Sequence, residues 1–159
     1  MDKVAEILFG RSPHGVCFVS PDGSFIKANA RLCEMLGYTE WELLSLDFQS
    51  ITHPDDLPVD VAQVERVLAG EIDEYNLVKR YFHGAKRSWM WANLFVGCDR
   101  NPDGTVAYFI SQIEEISKRE LTAEQWAEIQ EVKQGLIRNE FVLHFQPIVA
   151  MCDRAVVGY

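Results

Sequence analysis

Three runs rich in aromatic and β-branched residues dominate the hydrophobic pattern: 75–82 (YNLVKRYF), 88–96 (SWMWANLFV) and 106–113 (VAYFISQI). His83-Gly84 separates the first from the second, and Asn101-Pro102-Asp103-Gly104 the second from the third. This enrichment, punctuated by Gly, Pro, Asn and Asp, predicts strands joined antiparallel by short connections. Both phases of the alternation are apolar. In the middle run Trp89, Trp91 and Phe95 share one face, while Met90, Leu94 and Val96 share the other. A sheet with one wet face would carry polar residues on one phase. This sheet is therefore expected to be covered on both sides by the rest of the chain.

Upstream, Val4, Ile7 and Leu8 fall at helical spacing and predict a short amphipathic helix that Gly10 ends. Ser12-Pro13-His14-Gly15 reads as a turn. Strands over 16–20 and 24–28 flank Pro21-Asp22-Gly23, the signature of a hairpin. Asn29 is suited to cap a helix carrying Leu32, Met35 and Leu36 on one stripe, with Gly37 at its C-terminal cap. Thr39 and Glu42 have the spacing of a capping box for a second short helix, packed by Trp41, Leu43, Leu44 and Leu46. Residues 52–56 (THPDD) open a longer helix over 57–69, with carboxylates near the positive end of its dipole and Val61, Val64, Val67 and Leu68 as its buried face. The order predicts an α+β domain, one antiparallel sheet with helices on one face. The second cover falls to the N-terminal helix and the residues after 116. Over 117–138, Leu121, Trp126, Ile129, Val132 and Leu136 recur at helical intervals. Two readings stand: a solvated helix laid on its own domain, or a linker helix that pairs with a second copy. The heptad pattern is too short to prove a coiled coil.

Composition narrows the function. The chain has 159 residues, 48% apolar and 25% charged, which suits one soluble globular domain with a fragment of another. A net charge of −9 without a basic stripe argues against nucleic acid and against an anionic membrane surface. No apolar run approaches the roughly 20 residues that span a bilayer. The acidic N-terminus lacks the apolar core of a signal peptide, so a cytoplasmic location is expected. Cys17, Cys33, Cys98 and Cys152 show no metal spacing and read as small buried thiols in a reducing compartment. The acids Asp55, Asp56, Asp60, Glu71, Asp73 and Glu74 lack a ligand loop and read as solvated helix ends. No nucleophile–base arrangement, phosphate loop or kinase histidine motif is present.

An ordered set of features over residues 4–119 resembles a PAS sensor domain. Ser20-Pro21-Asp22-Gly23 resembles the family's first turn, Ala28-Asn29-Ala30 the start of its first core helix and Leu36-Gly37-Tyr38 the end of it. Ile51-Thr52-His53-Pro54-Asp55-Asp56 resembles the start of its long helix. Lys79-Arg80-Tyr81, His83-Gly84 and Trp89 resemble its last hairpin, and Glu115-Ile116-Ser117-Lys118-Arg119 the close of its PAC-type C-terminal half. The resemblance implies a five-stranded antiparallel sheet with short helices on one face and flanking N- and C-terminal helices on the other. It divides the chain into a cap helix and turn (1–14), the PAS domain (15–116) and a linker helix (117–138). It also implies a homodimer through the N-terminal helix, the outer sheet face and the linker. The long helix offers no histidine for haem, and Cys33 lacks the Asn-Cys-Arg-Phe-Leu-Gln word of a covalent flavin photosensor. A non-covalent flavin or another small ligand stays open, with Trp41, Trp89, Trp91 and Asn93 as a planar site. A ligand pocket would lie between sheet and helices, lined by Phe18, Phe25, Leu32, Met35, Phe48, Val64, Leu68 and Met90.

Residues 136–159 (LIRNEFVLHFQPIVAMCDRAVVGY) resemble the opening of an EAL-type cyclic-di-GMP phosphodiesterase barrel, with Gln146 at a position that contacts the dinucleotide in that family. The family's metal-binding acids and general base fall after residue 159, so residues 139–159 read as a truncated start without activity of its own. The run 141–149 is expected to be disordered or added to a sheet edge. Together the resemblances imply a sensory module controlling a phosphodiesterase in bacterial second-messenger signalling. The alternatives are a ligand-free dimerisation scaffold and the input to a non-catalytic cyclic-di-GMP receptor.

Overall fold

The computed structural model describes residues 3–116. The order is α1 (Lys3–Arg11), β1 (Gly15–Val19), β2 (Phe25–Ala28), α2 (Ala30–Leu36), α3 (Glu40–Leu44), α4 (Leu57–Leu68), β3 (Glu74–His83), β4 (Ser88–Arg100) and β5 (Val106–Ile116). The strands form one antiparallel sheet in the order β2-β1-β5-β4-β3. This is the expected α+β fold. The linker helix of 117–138, the tail run 141–149, Gln146 and Cys152 lie outside the described residues.

Local capping fixes the short helices. The Asn29 side chain accepts from Leu32 N–H at the start of α2, and Gly37 closes it in the left-handed conformation (φ 70°). Thr39 and Glu42 form the complete capping box of α3. Asn29 does more than cap. Its Oδ1 also accepts from Val16 N–H (3.0 Å), and its Nδ2 donates to Phe9 O (3.0 Å) and His14 O (3.1 Å). One buried amide thus ties α1, β1 and α2 together. Asn29→Ala leaves these backbone groups unpaired and is expected to cost about 2 kcal/mol in urea unfolding, more than a cap alone contributes. A loss no larger than that of Thr39→Ala would contradict the hub role.

Three local expectations need correction. Helix α1 runs through Gly10 to Arg11. A glycine inside a helix costs only about 1 kcal/mol, and the stop comes instead at Ser12, which precedes Pro13 and is steered out of the helical region. On α4, Leu68 is 43% exposed while Val67 is fully buried. The inward stripe runs through Val59, Asp60 and Val67, with Val61 and Val64 partly buried, so Leu68 is turned past it. Phe18 faces the outer side of the sheet, stacked on Phe9 (ring centroids 5.5 Å) and edge-on to Tyr108 (5.5 Å). Cys17 and Val19 are its inward neighbours. Phe18 pairs with Lys27 but Val19 pairs with Phe25, so a bulge leaves Ile26 without a register partner. The bulge turns Phe25 inward.

The core packs Met90, Ala92, Leu94 and Val96 of β4 and Ile113 of β5 against Leu32, Leu36, Leu43 and Val67 of the helices. The inner face is apolar, but the outer face is mixed: Phe95 pairs with the exposed Gln112 there, and Asn93 with the exposed Glu114. Trp89 and Phe95 stay partly exposed on the outer face, whereas Trp91 is buried there. Strand β3 is a sheet edge, and residues 51–53 cover it: Phe82 N–H donates to Ile51 O (2.8 Å) and His53 N–H to Arg80 O (3.0 Å). Covered edges do not pair with other chains.

Candidate functional site: a buried polar cluster beside an interior cavity

Tyr75, Lys79 and Tyr81 lie at even spacing on β3 and turn to the core. Asp60, one turn into α4, points at them. The Lys79 Nζ forms an ion pair with Asp60 Oδ2, and both side chains are 1% exposed. Nζ also donates to Thr52 Oγ1 (2.8 Å) and sits 4.2 Å from the Tyr81 ring centroid and 5.2 Å from that of Phe48. The Tyr75 hydroxyl donates to Asp60 Oδ1 (2.9 Å). A buried charge of either sign is costly without such partners. Here each charge has the other and at least one further contact.

This cluster forms one wall of a cavity of about 30 Å³, completed by Cys17 and Ser111 and by the apolar side chains of Val19, Phe25, Phe48, Val64 and Leu94. That space admits about two water molecules. Ligand pockets for drug-sized molecules begin near ~300 Å³, so a flavin or haem does not fit the cavity in this state.

Of the eight pocket residues expected from sequence, Phe25, Phe48 and Val64 line the cavity. Leu32, Met35 and Met90 are buried in the surrounding core without lining it. Phe18 and Leu68 are elsewhere, for the reasons above. The planar site does not assemble. Trp41 is 78% exposed on α3, and Trp89 lies on the outer face against His53 (4.5 Å) and Phe82 (5.1 Å). His53 also uses Nδ1 to accept from Asp55 N–H (3.2 Å), a local bond within the turn that starts α4.

The acids at the start of α4 are the main correction. Asp55 is exposed, but Asp56 and Asp60 are both 1% exposed rather than solvated. Asp56 makes no cap bond to its helix. Its carboxylate accepts instead from Arg80 N–H (2.8 Å), Arg80 Nε (2.9 Å) and Arg80 Nη2 (2.8 Å). The Arg80 guanidinium then lies 5.0 Å from the Trp91 ring centroid on the outer face. The available signal was the pairing of two facts: a lysine on the inward phase of an aromatic strand, and acids spaced one helical turn apart.

Electrostatics follow burial. Burial lowers the Lys79 ammonium from its ordinary range, with Asp60 opposing. Burial raises the Tyr75 and Tyr81 phenols, with Asp60 adding to both. Hydrogen bonding to Asp56 holds Arg80 up. Burial pushes the Cys17 thiol from the ordinary 9.0 up to about 12, against a hydrogen bond with Ser111 and the charge of Lys79. Cys17 is therefore expected to resist alkylation in the folded chain at pH 9 while Cys33 and Cys98, both partly exposed, react. Mass mapping of carbamidomethylated cysteines tests this, and early labelling of Cys17 would contradict it. The raised value also has a stability sign. Between about 9 and 12 the folded thiol holds its proton and the unfolded one does not, so this group makes stability fall as pH rises through that window.

Among the described residues no group of three or more His, Cys, Asp or Glu side chains is placed to hold a metal ion, and no helix is long and apolar enough to cross a membrane.

Comparison with known proteins agrees with this geometry. A family model described as the PAS fold matches residues 25–113. The probable diguanylate cyclase DgcE of Escherichia coli (strain K12) is 42% identical over 108 residues, which is 68% of this chain and 10% of that protein. The chain thus spans about a tenth of that relative's length. Among solved structures, the PAS domain of a protein from Colwellia psychrerythraea aligns with a TM-score of 0.66 at 14% identity, covering 74% of this chain and 98% of that one. The PAS domain of an HTR-like protein from Haloarcula marismortui aligns at 0.57 and 23% identity, covering 71% and 89%. Likeness at that level bears on the fold, and with the matched family model it fixes the assignment: this chain belongs to the PAS fold family.

Proposed function

We propose that this PAS domain is the sensory input of a cyclic-di-GMP signalling enzyme, acting on a phosphodiesterase barrel of the EAL type that residues 136–159 resemble. The observation that carries the reading is the 42% identity to a segment of a protein named as a probable diguanylate cyclase. A sensory domain shared between proteins that make and break one nucleotide couples similar inputs to opposite outputs. The output would be cytoplasmic, where guanine nucleotides are supplied. The test is cyclic-di-GMP hydrolysis by the protein carrying both domains, compared with the same protein lacking residues 3–116. A changed rate in either direction supports the reading, and an unchanged rate with an unchanged oligomeric state overturns it.

A second reading, a ligand-free dimerisation scaffold, is favoured by the small cavity and by the internal pairing of Lys79 and Asp60. The apolar residues left exposed on α1 and on the outer face of the sheet, including Val4, Leu8, Phe95 and Ile110, are the surface such a homodimer would use. Native and denatured masses separate the readings. A bound small molecule supports a ligand sensor, and a dimer of bare chains supports the scaffold.

A further inference from the structure

Lys79 and Arg80 are consecutive on β3, so their side chains leave opposite faces of the strand. Each is held by an acid from the start of α4. Lys79 reaches inward to Asp60, while Arg80 turns around the sheet edge to Asp56. The acids are four residues apart, and Asp60 N–H donates to Asp56 O (3.2 Å), so one helical turn joins them. Asp60 belongs to the cavity wall. At the other end of the chain of contacts, Arg80 lies over Trp91 on the outer face. Trp91 pairs in register with Ile116, the last residue of β5, from which the chain runs on toward its C-terminal segment.

We infer that the first turn of α4 is a mechanical link that carries a change in the inner cavity, through Asp60 and then Asp56 and Arg80, to Trp91 of β4 and Ile116 of β5 on the outer face of the sheet. The link deepens the sensory reading by naming its route, and rests on that reading for its purpose though not for its geometry. Several features make this turn suitable for the role. Asp56 spends its carboxylate on Arg80 and none of it on capping its own helix. Asp60 has two partners from β3, Lys79 and Tyr75, so a shift of Asp60 cannot leave the strand unaffected. The bidentate grip of Asp56 on the planar guanidinium transmits orientation as well as position.

The test uses fluorine NMR of the full chain labelled with fluorotryptophan. The Trp91 and Trp41 signals are assigned by Trp91→Phe and Trp41→Phe. Tyr75→Phe removes one hydrogen bond from Asp60, and Asp60→Asn removes its charge. Both are expected to shift the Trp91 signal, Asp60→Asn further, while Trp41, exposed on α3, stays in place. In an Asp56→Asn background the shift caused by Tyr75→Phe is expected to vanish. A Trp91 signal unmoved by Asp60→Asn in a protein with native circular dichroism overturns the link, and so does an equal movement of Trp41. If Asp60→Asn fails to fold, Tyr75→Phe decides by the same criteria. No ligand enters the experiment, so its outcome is independent of the hydrolysis assay. A chain whose Trp91 responds while hydrolysis ignores the domain keeps the link and loses the sensory reading.

Discussion

Lys79→Met is expected to destabilise the protein by about 3–5 kcal/mol, the range for stranding one member of a buried ion pair. Methionine replaces most of the lysine stem, so packing changes little. The loss comes from Asp60, which keeps the Tyr75 hydroxyl and loses the ammonium while remaining 1% exposed. The double variant Lys79→Met/Asp60→Leu removes both charges and is expected to recover most of the loss, since well-packed apolar groups often replace a buried pair without net cost. Urea unfolding of the three proteins reads this directly, with the m-value as a check on two-state behaviour. If the double variant is as unstable as the single one, the ion pair is not the source of the effect, and packing around the lysine stem is.

What the sequence made legible was local. The capping box at Thr39 and Glu42, the Asn29 cap and the Gly37 terminus all follow from interactions within four residues, and they formed as read. The last three strands were legible because aromatic and β-branched runs alternate between turn signals. They extend beyond the apolar runs where a partner strand continues the pairing, as Tyr108 and Val106 of β5 do for Asp99 and Arg100 of β4. What was not legible depended on contacts across the chain. Asp60 and Lys79 are 19 residues apart, and a carboxylate on a helix is ordinarily exposed. Nothing local marks Asp60 as different from Asp55. The placement of Phe18 failed for a subtler reason. A hairpin without a bulge keeps strict two-residue alternation on both strands, and the register shift after Phe18 breaks that alternation. The polar wall of the cavity joins Tyr75, Lys79 and Tyr81 of β3 to Asp60 of α4 and Ser111 of β5, an assembly that no single stretch of the sequence displays.

Gly37→Ala carries the second large effect, about 3 kcal/mol. Gly37 ends α2 with φ 70°, and its N–H donates to Cys33 O (2.8 Å). An L-residue there pays about 1–2 kcal/mol for the left-handed backbone. A Cβ would also run into the His83 ring and approach Ala85 N to 3.1 Å. His83 cannot swing away freely. It is buried, its Nδ1 accepts from Lys86 N–H (3.1 Å), and the neighbouring Gly84 N–H donates to Leu36 O (2.9 Å). The turn between β3 and β4 is thus docked on the end of α2, and a methyl group between them is an overpacking defect of about 1–3 kcal/mol. The two contributions separate in a double-mutant cycle. In a His83→Ala background the steric part is gone, so Gly37→Ala should cost only the backbone part. An equal cost in both backgrounds would mean that backbone strain alone governs this position and that the close docking of the β3–β4 turn on α2 is not what demands glycine.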